Sequence, residues 1–168
     1  MLEVRPERPE DRAAVRRVNE AAFGQPDEAD LVDRLRAQAR PYLGLVAVID
    51  GEVVGHIAFT PVALEPARPG LDARGLAPMA VLPTHQRAGV GTALVREGLA
   101  ACRRDGAGAV VVLGHPTYYP RFGFAPAGGF GLRSEYDAPP EAFMALALVP
   151  GALDGAAGVV RYHAAFAG

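Results

Sequence analysis

The 168-residue chain contains no lysine, only one cysteine, and no apolar run approaching the roughly 20 residues that a membrane-spanning helix needs. Each gap removes a class of function. Without lysine there is no Gly-Lys pair, so the phosphate-gripping motif G-x-x-x-x-G-K-[ST] cannot occur. With Cys102 alone, no internal disulfide framework can form. A charge surplus is also missing: 17 basic residues stand against 19 acidic ones, a formal charge of −2, so no strong field gathers nucleic acid or an anionic membrane. The opening segment MLEVRPERPEDR is too charged for a signal peptide. The expectation is a soluble, cytoplasmic protein whose partners must be argued from a site.

What is present suits one compact unit. Half of the residues are apolar, enough for a sizeable core and too few in total to favour two domains, so a single α/β domain over residues 1–168 is expected. LEVRP (Leu2 to Pro6) reads as a first strand stopped by a proline. Pro9, Glu10 and Asp11 suit a helix start, with Ala14, Val15, Val18 and Ala22 at helical spacing behind them. DEADLVDRLRAQAR (Asp27 to Arg40) begins acidic and ends basic, a second helix closed by Pro41.

The period then changes. LGLVAVIDGEVVGHIAFTPV is two β-branched runs split by Asp50-Gly51, a hairpin signal because a type I′ turn needs positive φ at both central residues. ALEPARPGLDARG (63–75) reads as a loop, and LAPMAVLP as a fourth strand whose internal Pro78 marks a bulge. Val90 to about Arg104 forms a helix, with Cys102 as a small core residue. AVVVL (Ala109 to Leu113), FMALALV (Phe143 to Val149) and VVRYHAAF (Val159 to Phe166) complete the expected strands.

The informative stretch joins the fourth strand to its helix: THQRAGVGTALV, with Gly89 and Gly91 in the turn. A dinucleotide fingerprint G-x-G-x-x-G fails because Leu94 stands where its third glycine belongs. What survives is a bare backbone at a helix N-terminus, where the dipole and unpaired N–H groups favour an anion such as phosphate or pyrophosphate. A tight strand-to-helix turn alone would also use these glycines.

The pattern Q-x-x-G-x-G after AVLP, followed by YPRFGF, resembles the GNAT N-acetyltransferase superfamily over nearly the whole chain, in particular a bacterial branch of predicted N-acetyltransferases. The resemblance implies a mixed, mostly antiparallel sheet flanked by helices, with splayed fourth and fifth strands. It implies acetyl-coenzyme A as acetyl donor, its pantetheine arm pairing with Met79, Ala80 and Val81. The pyrophosphate loop becomes Arg87, Ala88, Gly89, Val90, Gly91 and Thr92, braced by Gln86. Tyr119, separated by three residues from Gly123, becomes the donor to the departing sulfur, with Tyr118 as fallback. Many members carry an asparagine seven residues before this tyrosine, on a helix. Here GHPTYYP has none and holds Pro116 and Pro120, so the helix should shorten to a turn, with His115 as the candidate for the pantetheine contact.

The chemistry sets one further demand. A primary amine with a pKa of about 10.4 is about one part in two thousand neutral at pH 7, a cost of roughly 4.6 kcal/mol, so a base or a desolvating pocket is required. Glu65, His56, Glu135 and Asp137 are candidate bases, none favoured by spacing, and His56 is expected to pack within its strand. The acceptor side is expected from the segment between the first two helices, the ALEPARPGLDARG loop and EYDAPPEAF. No metal is implied, and a homodimer is the commonest closed assembly. Two rivals stand beside N-acetyl transfer: an acyl-coenzyme A-binding sensor or scaffold without turnover, and a nucleotide-phosphate binding module.

Overall fold

The computed structural model describes residues 1–168. The order is β1 (Leu2–Pro6), α1 (Arg12–Phe23), α2 (Asp27–Gln38), β2 (Leu43–Ile49), β3 (Glu52–Glu65), β4 (Ala73–Val81), α3 (Val90–Arg104) and β5 (Ala109–Leu113). Four short strands follow: β6 (Ala125–Pro126), β7 (Leu132–Ser134), β8 (Phe143–Ala147) and β9 (Gly158–Arg161). The sheet runs β1-β2-β3-β4-β5-β8-β6, and β9 bridges the far end of β3 to β7. Only β4–β5 and β7–β9 are parallel, so the sheet is mostly antiparallel.

Local chemistry explains the β2–β3 hairpin. Asp50 at φ 51° and Gly51 at φ 80° supply the left-handed pair that its tight turn requires. In the β3–β4 pairing Ile57 faces Met79 while Phe59 faces Leu76, so β4 carries one extra residue at Ala77-Pro78. That is the expected bulge: proline has no N–H to give the ladder.

The sheet's two faces are covered differently. A Cβ at Gly55 would meet Val90 and Leu94, and one at Gly98 would meet the Phe59 ring, so Gly55, Ile57 and Phe59 face α3. This side holds the larger core, including Leu94, Cys102, Val112, Tyr119 and Met144. On the opposite side α1 lays Val15 and Val18 against Val46 and Ala80. Burial pushes the Cys102 thiol up to about 12, which keeps it an inert core group.

Several boundaries differ from expectation. A short 3₁₀ turn, Pro9–Asp11, precedes α1, because Asp11 turns back to accept the Arg8 N–H at 2.7 Å and a two-pronged Arg5 at 2.7 and 3.0 Å. Helix α2 stops at Gln38, not Arg40. The loop read over 63–75 shrinks to 66–72, since Ala63, Leu64 and Glu65 pair with Arg161, Val160 and Val159. Strand β8 ends at Ala147 because the N–H groups of Leu148 and Val149 turn to the Gly108 carbonyl. The last strand ends at Arg161, after which His163 Nδ1 accepts from Ala165 N and caps a 3₁₀ turn. Strands β6 and β7 were not anticipated: two and three residues long in a Gly- and Pro-rich stretch, they carry no period.

Candidate active site

The glycine turn is a concentration of idle donors. Gly89, at φ 86°, is the N-cap of α3, and Arg87 is also left-handed at φ 64°. None of the main-chain N–H groups from Arg87 to Thr92 finds an acceptor in the protein. Gln86 Nε2 donates to the Val81 carbonyl at 3.0 Å, tying the turn to the end of β4. The two glycines serve different ends. Gly89 is required by its backbone angle, whereas a Cβ at Gly91 would meet Tyr118 Oη at 3.4 Å and Met79 Cε at 3.7 Å, ordinary contacts. The fold does not need glycine at 91, and its absence of a side chain leaves the backbone of the helix end bare.

Beside the turn a slot opens. Strands β4 and β5 pair only through Ala73–Ala109, Arg74–Val110 and Gly75–Val111. From Leu76 onward β4 has no partner on its β5 side, so Met79, Ala80 and Val81 present a free edge while pairing with Ile57, His56 and Gly55 behind them. The splay carries an exposed apolar residue at its end, Leu113 at 41%.

Tyr119 lies past the end of β5, packed into the α3-side core. It begins a 3₁₀ turn over Tyr119–Phe122, the shortened helix expected from Pro116 and Pro120. Its ring lies where a side chain at Gly114 would be and stacks edge-on to Tyr118 and Phe124 at 5.1 and 5.7 Å. Burial, with Tyr118 beside it, pushes its pKa up to about 12. Tyr118 diverges from it: its hydroxyl hydrogen-bonds Thr92 Oγ1 at 3.1 Å, tethering the first turn of α3. Sequence reasoning gave Tyr118 no part in the loop; the only signal was the Tyr-Tyr pair itself, whose members cannot face the same way. His115 is exposed in the turn after β5, and its carbonyl accepts the Tyr118 N–H at 3.1 Å.

The candidate bases separate by position. Glu65 pairs with Arg161 at the far end of β3, and the 66–72 loop lies at that same end, beside Gly106 and Gly108. That loop is therefore removed from the splay, because it leads into the N-terminal end of β4. Glu135 accepts the Tyr162 backbone N–H, and Asp137 is exposed. His56 is fully buried in its strand, between Val46 and Ala80. Its Nε2 donates to Glu7 Oε1 at 2.9 Å, and Tyr42 Oη donates to the same oxygen at 2.8 Å. Arg36 takes Glu7 Oε2. Burial alone would raise the Glu7 pKa; hydrogen bonds from His56, Arg36 and Tyr42 outweigh it and hold the carboxyl at about 2. Gly44 leaves the room, since a Cβ there would collide with Glu7 and Tyr42. A concavity of about 450 Å³ between α2 and the C-terminal residues includes none of the loop or tyrosine groups.

A donor-rich helix end, a bulged β4 and a parted β5 define an acyltransferase architecture, and the comparisons agree. The acetyltransferase (GNAT) domain model matches residues 3–127, and the chain belongs to that family. It is 38% identical to the uncharacterised N-acetyltransferase YhbS of Escherichia coli K12 over 166 residues, 97% of each chain. To YjhQ of the same strain it is 44% identical over 134 residues, 78% of this chain and 74% of that one. The crystal structure of Escherichia coli YhbS in complex with CoA superposes with a TM-score of 0.90 at 37% identity, covering 99% of this chain and 92% of that one. A GNAT acetyltransferase from Brucella melitensis in complex with acetyl-CoA gives 0.80 at 44% identity, covering 99% and 98%. No helix is long and apolar enough to cross a membrane.

Proposed function

We propose that the chain transfers the acetyl group of acetyl-coenzyme A to a primary amine by direct attack, with donor and acceptor bound together. The observation that carries this reading is the run of idle N–H groups from Arg87 to Thr92 at the mouth of the β4–β5 slot. The residues fit the donor: a helix N-terminus and a dispensable glycine suit a pyrophosphate, and a free strand edge suits the amides of a pantetheine arm. In this reading Gln86 holds the loop, and Met79, Ala80 and Val81 template the arm. His115, exposed beside the slot, is the outer contact. Complexes of two relatives with CoA and acetyl-CoA support the same assignment.

The amine nitrogen attacks the thioester carbonyl, and a main-chain N–H at the β4 bulge steadies the oxygen as it gains charge. A donor of this kind is typically worth roughly 3 to 4 kcal/mol. Tyr119 meets the sulfur as it leaves. With its own pKa raised to about 12, outright proton transfer to a thiolate of ordinary pKa about 8.5 is uphill by roughly 5 kcal/mol. The tyrosine therefore works as a hydrogen-bond donor to a desolvated sulfur.

The test is a panel of primary amines with acetyl-coenzyme A, read by free-thiol release and by the mass of the acetylated product. Thiol and acetylated amine should appear in equal amounts. Tight donor binding with no product from any amine would leave a sensor or scaffold in place of an enzyme.

A further inference from the structure

One cysteine and three methionines hold all the sulfur in the chain, and the fold treats them unequally. Cys102 and Met144 are sealed in the core at 0% and 1% exposure, and Met1 lies free at the N-terminus. Met79 alone is half-buried, and it stands at the donor loop. It is the register partner of Ile57 across β3 and β4, so its side chain shares the face turned toward α3. There it reaches the first turn of the helix: a Cβ built at Gly91 would stand 3.7 Å from Met79 Cε, 3.8 Å from its Sδ and 3.4 Å from Tyr118 Oη. The sulfur thus lies beside Gly91, inside the run from Arg87 to Thr92 whose main-chain N–H groups have no acceptor in the protein. A thioether is too weak an acceptor to occupy them.

We infer that Met79 is an oxidation site through which peroxide closes the donor loop; this rests on the donor assignment given above. A sulfur lone pair attacks one peroxide oxygen, and the O–O bond breaks as the S–O bond forms. The departing hydroxide takes up the proton of the transferred oxygen, so sulfur gives up two electrons and the products are a sulfoxide and water. Oxidation turns a flexible apolar side chain into a polar one. Its new oxygen carries partial negative charge, and the bare helix end beside it is where such charge is favoured. That oxygen takes N–H groups the pyrophosphate requires. A bound donor in turn covers the sulfur, so the protein is sensitive when empty and protected when loaded. The state is reversible, because sulfoxides are reduced back to thioethers. No other sulfur competes in the core: Met144 is sealed, and burial holds Cys102 as the unreactive thiol.

The test exposes the whole protein to hydrogen peroxide, removes the excess with catalase, locates added oxygen by peptide mass and titrates acetyl-coenzyme A by calorimetry. Met1 and Met79 should gain oxygen while Met144 does not, and affinity should fall roughly tenfold or more, about the worth of one hydrogen bond. Saturating acetyl-coenzyme A during exposure should slow oxygen uptake at Met79 and not at Met1. Methionine sulfoxide reductases A and B, one for each epimer, should restore the affinity. Met79→Leu is compared with itself: whatever affinity it starts with, peroxide should leave that value in place. A Met79 that stays unoxidised while Met1 reacts overturns the inference with the donor assignment intact. So does an oxidised Met79 whose affinity stays within roughly threefold of the untreated protein, under one hydrogen bond's worth. An equal loss in Met79→Leu would place the damage elsewhere and overturn it too. A parent with no affinity for acetyl-coenzyme A before treatment overturns the donor assignment, and the inference with it.

Discussion

The two faces of the β3–β4 pair are built on opposite principles. Toward α3 the chain offers backbone: idle N–H groups from Arg87 to Thr92, a free β4 edge, and a helix end that needs no side chain at 91. Away from α3 it offers side chains gathered from distant segments, with Glu7, Tyr42, Arg36 and His56 meeting near α2. A donor face made of main chain suits a ligand common to a whole family. A face made of side chains can change from member to member without disturbing the first.

If the faces are independent, substitutions should separate donor affinity, turnover and stability. The largest effect falls on turnover. Tyr119→Phe should lower kcat and kcat/KM together by about 10²- to 10⁴-fold, with acetyl-coenzyme A affinity unchanged, because the hydrogen bond matters mainly as sulfur departs. Steady-state kinetics beside calorimetry would separate these quantities.

Next comes donor binding. Gly91→Asp should weaken acetyl-coenzyme A by roughly 100-fold, since a like charge set against a bound anion costs several kcal/mol. Gly91→Ala is the sharper probe of the comparison. Its Cβ meets nothing nearer than 3.4 Å, so the melting temperature should hold or rise while affinity falls. A destabilised Gly91→Ala would show that the fold, not the ligand, asks for glycine.

On the opposite face the Glu7 cluster should act on stability alone. The folded carboxyl sits at about 2 against an ordinary 4.5, so between those values the unfolded chain binds more protons. Its contribution, on the order of 3 kcal/mol, is complete above the ordinary value and is lost as pH falls toward the folded one. Glu7→Gln should lower the melting temperature at neutral pH and flatten its acid limb. Thermal melts from pH 2 to pH 7 check both, and donor affinity should not move.

The smallest effect belongs to Tyr118→Phe. Losing the hydrogen bond to Thr92 should cost about 1 kcal/mol, seen as a few-fold weaker donor affinity with kcat preserved. A loss of kcat here, with none at Tyr119, would exchange the roles of the two rings.

The same division explains what could be read in the sequence. Asp50-Gly51, Pro78 and the glycine turn act through backbone geometry within a few residues, so the hairpin, the bulge and the helix start were legible. Glu7 and Tyr42 lie just past β1 and just before β2, Arg36 in α2 and His56 in β3. Nothing in their spacing marks them, because only the packed sheet brings them together. The 63–75 stretch reads as a longer loop than it is for a related reason: β3 continues because β9, nearly a hundred residues on, supplies its partner.

Calorimetric titration of the parent with acetyl-coenzyme A, coenzyme A and ADP tests the central assignment most directly. All three carry a pyrophosphate for the loop, and only the first two carry a pantetheine arm for the slot. Acetyl-coenzyme A and coenzyme A should bind with comparable affinities, and ADP much more weakly. ADP binding as tightly as either would contradict it, leaving a nucleotide-phosphate site at the helix end and no use for the parted strands.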